Sequence, residues 1–318
     1  MIDQNPNQVL EKFALAIIAE QRRKRRWGIF FKLITLSIVL LFIWGLFPWD
    51  SIPLPHFSFG HGKESKKPQI ARVALFGEIN AEKAVTAENT IEAMDAAAED
   101  KSIRAILLDI NSPGGSPVQA SYIYNEIQRL QKKYPKLEID AVCEDVCASA
   151  AYYIASASNN IYANPTSLVG SIGVLMDGFG FVDSLQKVGA TRRLYTAGKY
   201  KGFLDPFSPV NPQGLVFVQS MLDSDHQVFI RDVKAGRGNR LSNDPNLFTG
   251  LIWNGVQAKP LGLIDGFGSV WDVARERYHT DEIIDFTMKK SIFEQMASQF
   301  NSSFWQKFKT TFFSPELR

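Results

Sequence analysis

The 318-residue chain has two cysteines, four histidines and almost no excess charge, with 35 basic against 33 acidic side chains. Two cysteines are too few for a disulfide scaffold or a multi-cysteine zinc module. A net charge of +2 excludes a strongly electrostatic nucleic-acid binder. Four histidines leave little choice of a histidine base for catalysis. With 45% hydrophobic and 21% charged residues the chain is not disordered throughout, and its length suits one large domain or two modest ones.

The near-neutral total conceals an asymmetry. Residues 1–26 carry Lys12, Arg22, Arg23, Lys24, Arg25 and Arg26 against three acids. An apolar run follows from Trp27 to Trp49, broken only by Lys32 near its start. Roughly 20 helical residues cross a hydrocarbon core of about 30 Å. The run therefore predicts a single transmembrane helix over 27–49, with Lys32 snorkelling and Trp27, Trp44 and Trp49 at the interfaces. A cleaved signal peptide would need small residues before the cut, whereas this run ends Gly45-Leu46-Phe47-Pro48-Trp49. The positive-inside rule makes 1–26 a cytoplasmic segment and puts the remainder across the membrane. Residues 50–69, rich in Pro, Gly and Lys and containing His56 and His61, read as a linker.

From 70 to 280 apolar runs alternate with amphipathic stretches: 70–76, 84–99, 103–110, 118–133, 138–143, 148–157, 160–163, 171–175 and 192–196, then a long helix over 212–235. That alternation predicts an α/β domain with strands buried on both faces. In the 281–318 tail, Ile292, Phe293, Met296, Phe300, Phe304, Phe308 and Phe312 form an apolar stripe at helical spacing. Such a stripe packs on its own domain, on a neighbouring subunit or on the bilayer.

Three segments could carry chemistry. In Asp109-Ile110-Asn111-Ser112-Pro113-Gly114-Gly115-Ser116 a strand ends in a Pro-Gly-Gly turn that feeds a helix, where bare backbone N–H groups can hold an oxyanion. The same tripeptide is also a common tight turn, and it lacks the spacing of a P-loop or dinucleotide fingerprint. In Cys147-Ala148-Ser149-Ala150-Ala151-Tyr152 a serine opens a helix among small residues, as a nucleophile or as a plain N-cap. None of the four histidines follows a strand end, so the base is sought among lysines, and Lys199 and Lys201 share the loop 196–206. Cys143 and Cys147 read as two buried thiols, not as a nucleophile.

These segments, with Leu168-Val169-Gly170-Ser171-Ile172-Gly173, resemble over residues 70–280 the signal peptide peptidase A (protease IV) family of membrane-bound serine peptidases. The resemblance implies an α/β ClpP/crotonase-like domain behind a single N-terminal transmembrane helix. It implies Ser149 as nucleophile, Lys201 as general base, Ser171 orienting the lysine amine, and Gly114 and Ala150 N–H groups as the oxyanion hole. It further implies peptide substrates, signal peptide remnants above all, a homo-oligomer at the lipid surface, and no cofactor, metal or nucleic acid. The sequence departs from the family at Ala150 and Ala151, where Ala-Ser-Gly-Gly-Tyr is usual. Alanine keeps the N–H donor provided φ stays negative, and its methyl groups are expected to narrow the pocket. Two rival readings stand beside this one: an inactive, membrane-tethered peptide-binding or scaffold relative, and an acyl-CoA-binding crotonase.

Overall fold

A computed structural model describes residues 27, 30–38, 69–83 and 85–288. Residues 30–38 are helical. Among the described residues no helix is long and apolar enough to cross a membrane. The expected cytoplasmic segment 1–26, most of the expected span 27–49, the linker and the apolar stripe of the tail lie outside the described residues. The chain divides into two units, 1–64 and 65–318, and the second contains the sheet and every candidate site residue.

The second unit opens with three long parallel strands joined by helices. They are β1 (Gln69–Phe76), α1 (Ala87–Glu99), β2 (Ile103–Ser112), α2 (Pro117–Lys133) and β3 (Glu138–Ala148). Capping side chains set the helix starts: the Thr86 hydroxyl accepts from the Asn89 N–H at 3.1 Å, and Ser116 precedes Pro117 at the first helical position. Then come α3 (Ala150–Ser156), β4 (Ile161–Ala163), β5 (Leu168–Gly170), α4 (Val182–Lys187) and the long α5 (Pro212–Arg237). The unit closes with β6 (Ile252–Asn254), α6 (Gly255–Ala258), β7 (Gly266–Phe267), α7 (Val270–Glu276) and β8 (Ile283–Asp285).

The strands form one sheet in the order β6-β5-β3-β2-β1-β8, with β4 beside β3 and β7 beside β4. Every pairing is parallel except β5 with β6. β8 pairs with β1 just past residue 280, and the Phe286 N–H continues that edge to the Arg72 carbonyl. A large apolar core covers one face, and a smaller one around Ile70, Leu107 and Val142 lies under α7 on the other. Burial on both faces is why β1 and β2 read as nearly unbroken apolar runs.

β3 organises the sheet by serving two partners in turn: Ala141–Cys143 pairs with β4 and Val146–Ala148 with β5. Between them β2 advances from Ile110 to Ser112 while β3 advances from Cys143 to Cys147, a bulge at Glu144 and Asp145. The elements expected at 171–175 and 192–196 have no regular structure. A strand needs a hydrogen-bonding neighbour, and the chain leaves the sheet after Gly170 into a largely exposed excursion returning at α5.

Candidate active site

The sheet brings Ser149, Gly114 and Ser171 to one place. Ala148 at the end of β3 pairs in register with Gly170 at the end of β5, so Ser149 and Ser171 emerge side by side. The Ser149 N–H donates to the Gly170 carbonyl at 2.8 Å, and the Ser171 N–H to the Leu251 carbonyl at 2.8 Å. Both serines hold left-handed backbone, with φ of 55° and 51°. That conformation is strained for any residue but glycine, and among the described non-glycine residues only His279 shares it. Ser149 combines this φ with ψ of −123° at the head of α3, and its side chain does not cap the helix.

The Pro-Gly-Gly turn packs against this serine from β2. A Cβ on Gly114 would stand 2.8 Å from Ser149 Cβ and 3.0 Å from the Ala150 nitrogen, so only glycine permits the approach. Gly115 is needed for a different contact: a Cβ there would lie 2.1 Å from the Ile79 carbonyl oxygen. Ile79 ties the turn on both sides, donating to the Gly114 carbonyl at 2.9 Å and accepting from the Ser116 N–H at 2.8 Å. The Ala150 N–H, in the first turn of α3, has no intrahelical acceptor. The Gly114 N–H meets the Ser112 hydroxyl at a long 3.2 Å. Two backbone donors thus flank the Ser149 side chain, one free of the helix ladder and one weakly engaged.

Lys201 lies on the exposed excursion between β5 and α5. It sits on an exposed turn, its N–H donating to the Gly198 carbonyl at 3.0 Å, and among the described residues its amine has no hydrogen-bond or ion-pair partner. Lys199 stacks its amine 5.0 Å from the centre of the Tyr200 ring. His226, which follows no strand end, has its Nε2 3.0 Å from the carbonyl oxygen of Ile172, the residue after Ser171. No sequence signal marks it, since its proximity arises only when α5 folds back.

The sequence profile of peptidase family S49 matches residues 131–283, and that of the Clp protease family residues 68–169. A Synechocystis sp. protein carrying a provisional protease name is 31% identical over 210 residues, 66% of this chain and 73% of that protein. The chain belongs to peptidase family S49. The chloroplastic serine protease SPPA of Arabidopsis thaliana is 29% identical over 218 residues, 66% of this chain and 32% of that protein. The Na(+)/H(+) antiporter NhaA of Brucella melitensis is 42% identical over 190 residues, 60% of this chain. The chain spans about a quarter of that antiporter's length.

Within this S49 chain the alanines at 150 and 151 keep negative φ as the first residues of α3, so the donor at 150 is preserved. Both alanines are buried and belong to the large core. Cys143 and Cys147 are free, buried thiols. Burial, with Cys143 alongside, pushes the Cys147 thiol well up, the condition of an inert structural cysteine.

Proposed function

We propose that this chain is a membrane-anchored serine endopeptidase that degrades signal peptide remnants and other polypeptides on the extracytoplasmic side. The observation that carries the reading is Ser149, held at left-handed φ at the head of α3 with Gly114 against its Cβ. In this mechanism Ser149 Oγ attacks the peptide carbonyl while Lys201 Nζ takes its proton. The Gly114 and Ala150 N–H groups hold the oxyanion, the first exchanging its weak bond to Ser112 for a charge-assisted one. The lysine then protonates the leaving amine, and water releases the acyl-enzyme. Ser171, beside Ser149, orients the amine. No metal or cofactor enters this scheme.

We infer that a neighbouring copy completes the dyad. Lys201 is solvent-exposed in the single chain, and the excursion carrying it displays Leu175, Phe179, Tyr195 and Val210 to solvent. An apolar surface of that kind marks a protein contact. We therefore place the site between subunits of a homo-oligomer, Lys201 of one facing Ser149 of the next. Anchoring rests on the sequence run 27–49.

Cleavage of unfolded casein or a leader peptide tests the reading, with Ser149→Ala and Lys201→Ala each expected to lower the rate about a thousandfold or more. Mixing the two inactive variants separates the geometries: dyads built across the interface regain part of the activity, dyads within one chain regain none. A second reading, an inactive peptide-binding relative, draws on the exposure of Lys201, whose amine has no hydrogen-bond or ion-pair partner among the described residues. It prevails if the wild-type protein binds but does not cleave.

A further inference from the structure

After Gly170 the chain leaves the sheet through Ser171, whose φ of 51° persists in a residue other than glycine only where the surroundings hold it from both sides. On the near side the Ser171 N–H donates to the Leu251 carbonyl at 2.8 Å. On the far side stands Ile172, its side chain buried in the large core. Its carbonyl oxygen lies 3.0 Å from His226 Nε2. A carbonyl oxygen only accepts, so Nε2 carries the proton and donates.

That bond stands alone on its stretch of chain. The next backbone donor to be satisfied is the Phe181 N–H, which reaches the Pro206 carbonyl at 2.7 Å. Between the Ser171 and Phe181 N–H groups, the Ile172 carbonyl is the one backbone group with a hydrogen-bond partner among the described residues. Residues 175–181 are exposed, so nothing downstream steadies the exit from the sheet. The Ile172 side chain fixes where that residue sits, and the imidazole fixes how its peptide plane is turned.

The helix that supplies the donor is otherwise plainly patterned. Along α5, Leu222, Phe229 and Val233 turn toward the protein, while residues 223–225 and 227–228 are exposed. Helical spacing puts position 226 on the same inward stripe. An apolar side chain would satisfy burial there, yet the sequence has a half-buried imidazole aimed at the residue next to Ser171. Phe229, one turn on, stacks 4.8 Å from Tyr153 of α3, the helix that Ser149 opens. One face of α5 therefore backs both the serine helix and the segment after Ser171.

We propose that His226 is a positioning residue of this site: by holding the Ile172 carbonyl it keeps Ser171 in left-handed backbone, with its hydroxyl aimed at the amine that takes the proton. It touches no reacting atom and acts through Ser171. What it does for catalysis rests on the peptidase reading; that it holds residues 171–173 rests on the geometry alone.

The test compares His226→Phe, which keeps a ring and loses the donor, with His226→Gln, whose amide N–H has nearly the same reach. In steady-state cleavage of a leader peptide, His226→Phe should lower kcat about tenfold or more with KM within about twofold, and His226→Gln should recover most of the loss. Hydrogen exchange at the Ser171 amide should quicken in His226→Phe and return toward wild type in His226→Gln, with both variants melting as a cooperative fold. Unchanged kcat in His226→Phe, a change confined to KM, a glutamine variant as slow as the phenylalanine one, or unchanged exchange overturns the proposal. If the wild-type protein cleaves nothing, the peptidase reading falls, and the Ser171 exchange still decides whether His226 holds the segment.

Discussion

At Ser149 the backbone stores strain that the hydroxyl does not relieve, since the side chain caps nothing. Glycine reaches φ of 55° without a steric penalty, whereas alanine retains it. Ser149→Gly and Ser149→Ala should therefore both lose activity but differ in stability, glycine being the more stable by about 1 kcal/mol. Denaturant titration of the two variants checks this, and equal midpoints would mean the strain is absent. Glu144 poses the converse case. Its folded carboxyl is pushed above the ordinary 4.5 by burial and by the acids beside it. A raised carboxyl binds its proton more tightly in the folded protein, so its contribution is favourable below about pH 4.5 and is lost as pH rises through the folded value. Glu144→Gln should accordingly raise the melting temperature at neutral pH, with the gain fading toward about pH 4.5. A gain that grows on acidification would contradict the assignment.

Among the elements, the turn after β2 shows how one short segment is fixed by two independent approaches. Gly114 admits Ser149, and Gly115 admits the Ile79 carbonyl at a distance no Cβ could share. Gly115→Ala must push the 77–86 loop off the turn, and should cost about 3 kcal/mol or more; the loss of activity then follows the loss of fold. Hydrogen exchange of the Ile79 and Ser116 amides reads the displacement directly. Elements differ in how openly the sequence announces them. β1, β2, α1, α2 and α5 were legible because they are apolar runs or capped amphipathic stretches, and the structure only moves their ends. β3 beyond Cys143 was not, because Glu144-Asp145 reads as a turn, and only the bulge lets the strand carry them. Residues 171–175 and 192–196 have apolar pattern but no strand to pair with, a tertiary fact that local sequence does not hold. In the site, Gly114 and Ser149 were visible as a turn and a helix start. Ser171 and the choice of Lys201 over Lys199 came from family resemblance alone, since nothing in a serine's neighbours announces positive φ.

For the whole molecule, the proposed dyad draws on two differently placed groups: Ser149 sits in the buried cluster at the sheet end, while Lys201 stands on an exposed excursion. The start of α5 belongs to the same surface, with Val216 72% and Phe217 64% exposed. Gly214 and the Phe217 ring both meet Phe203, while Val216 turns away from that contact into solvent. Burying such side chains against another copy is favourable by roughly 1.5–3 kcal/mol each, whereas placing a carboxylate there opposes association. The double variant Val216→Asp, Phe217→Asp should then sediment as a smaller species than wild type at the same concentration. Its melting should stay cooperative, because neither side chain belongs to the core, and its peptidase rate should fall about tenfold or more as Lys201 loses its facing Ser149. Adding the Ser149→Ala protein should not restore the rate, since the charged surface excludes the partner. If the charged variant keeps both its size and its rate, this face is not the contact that builds the site.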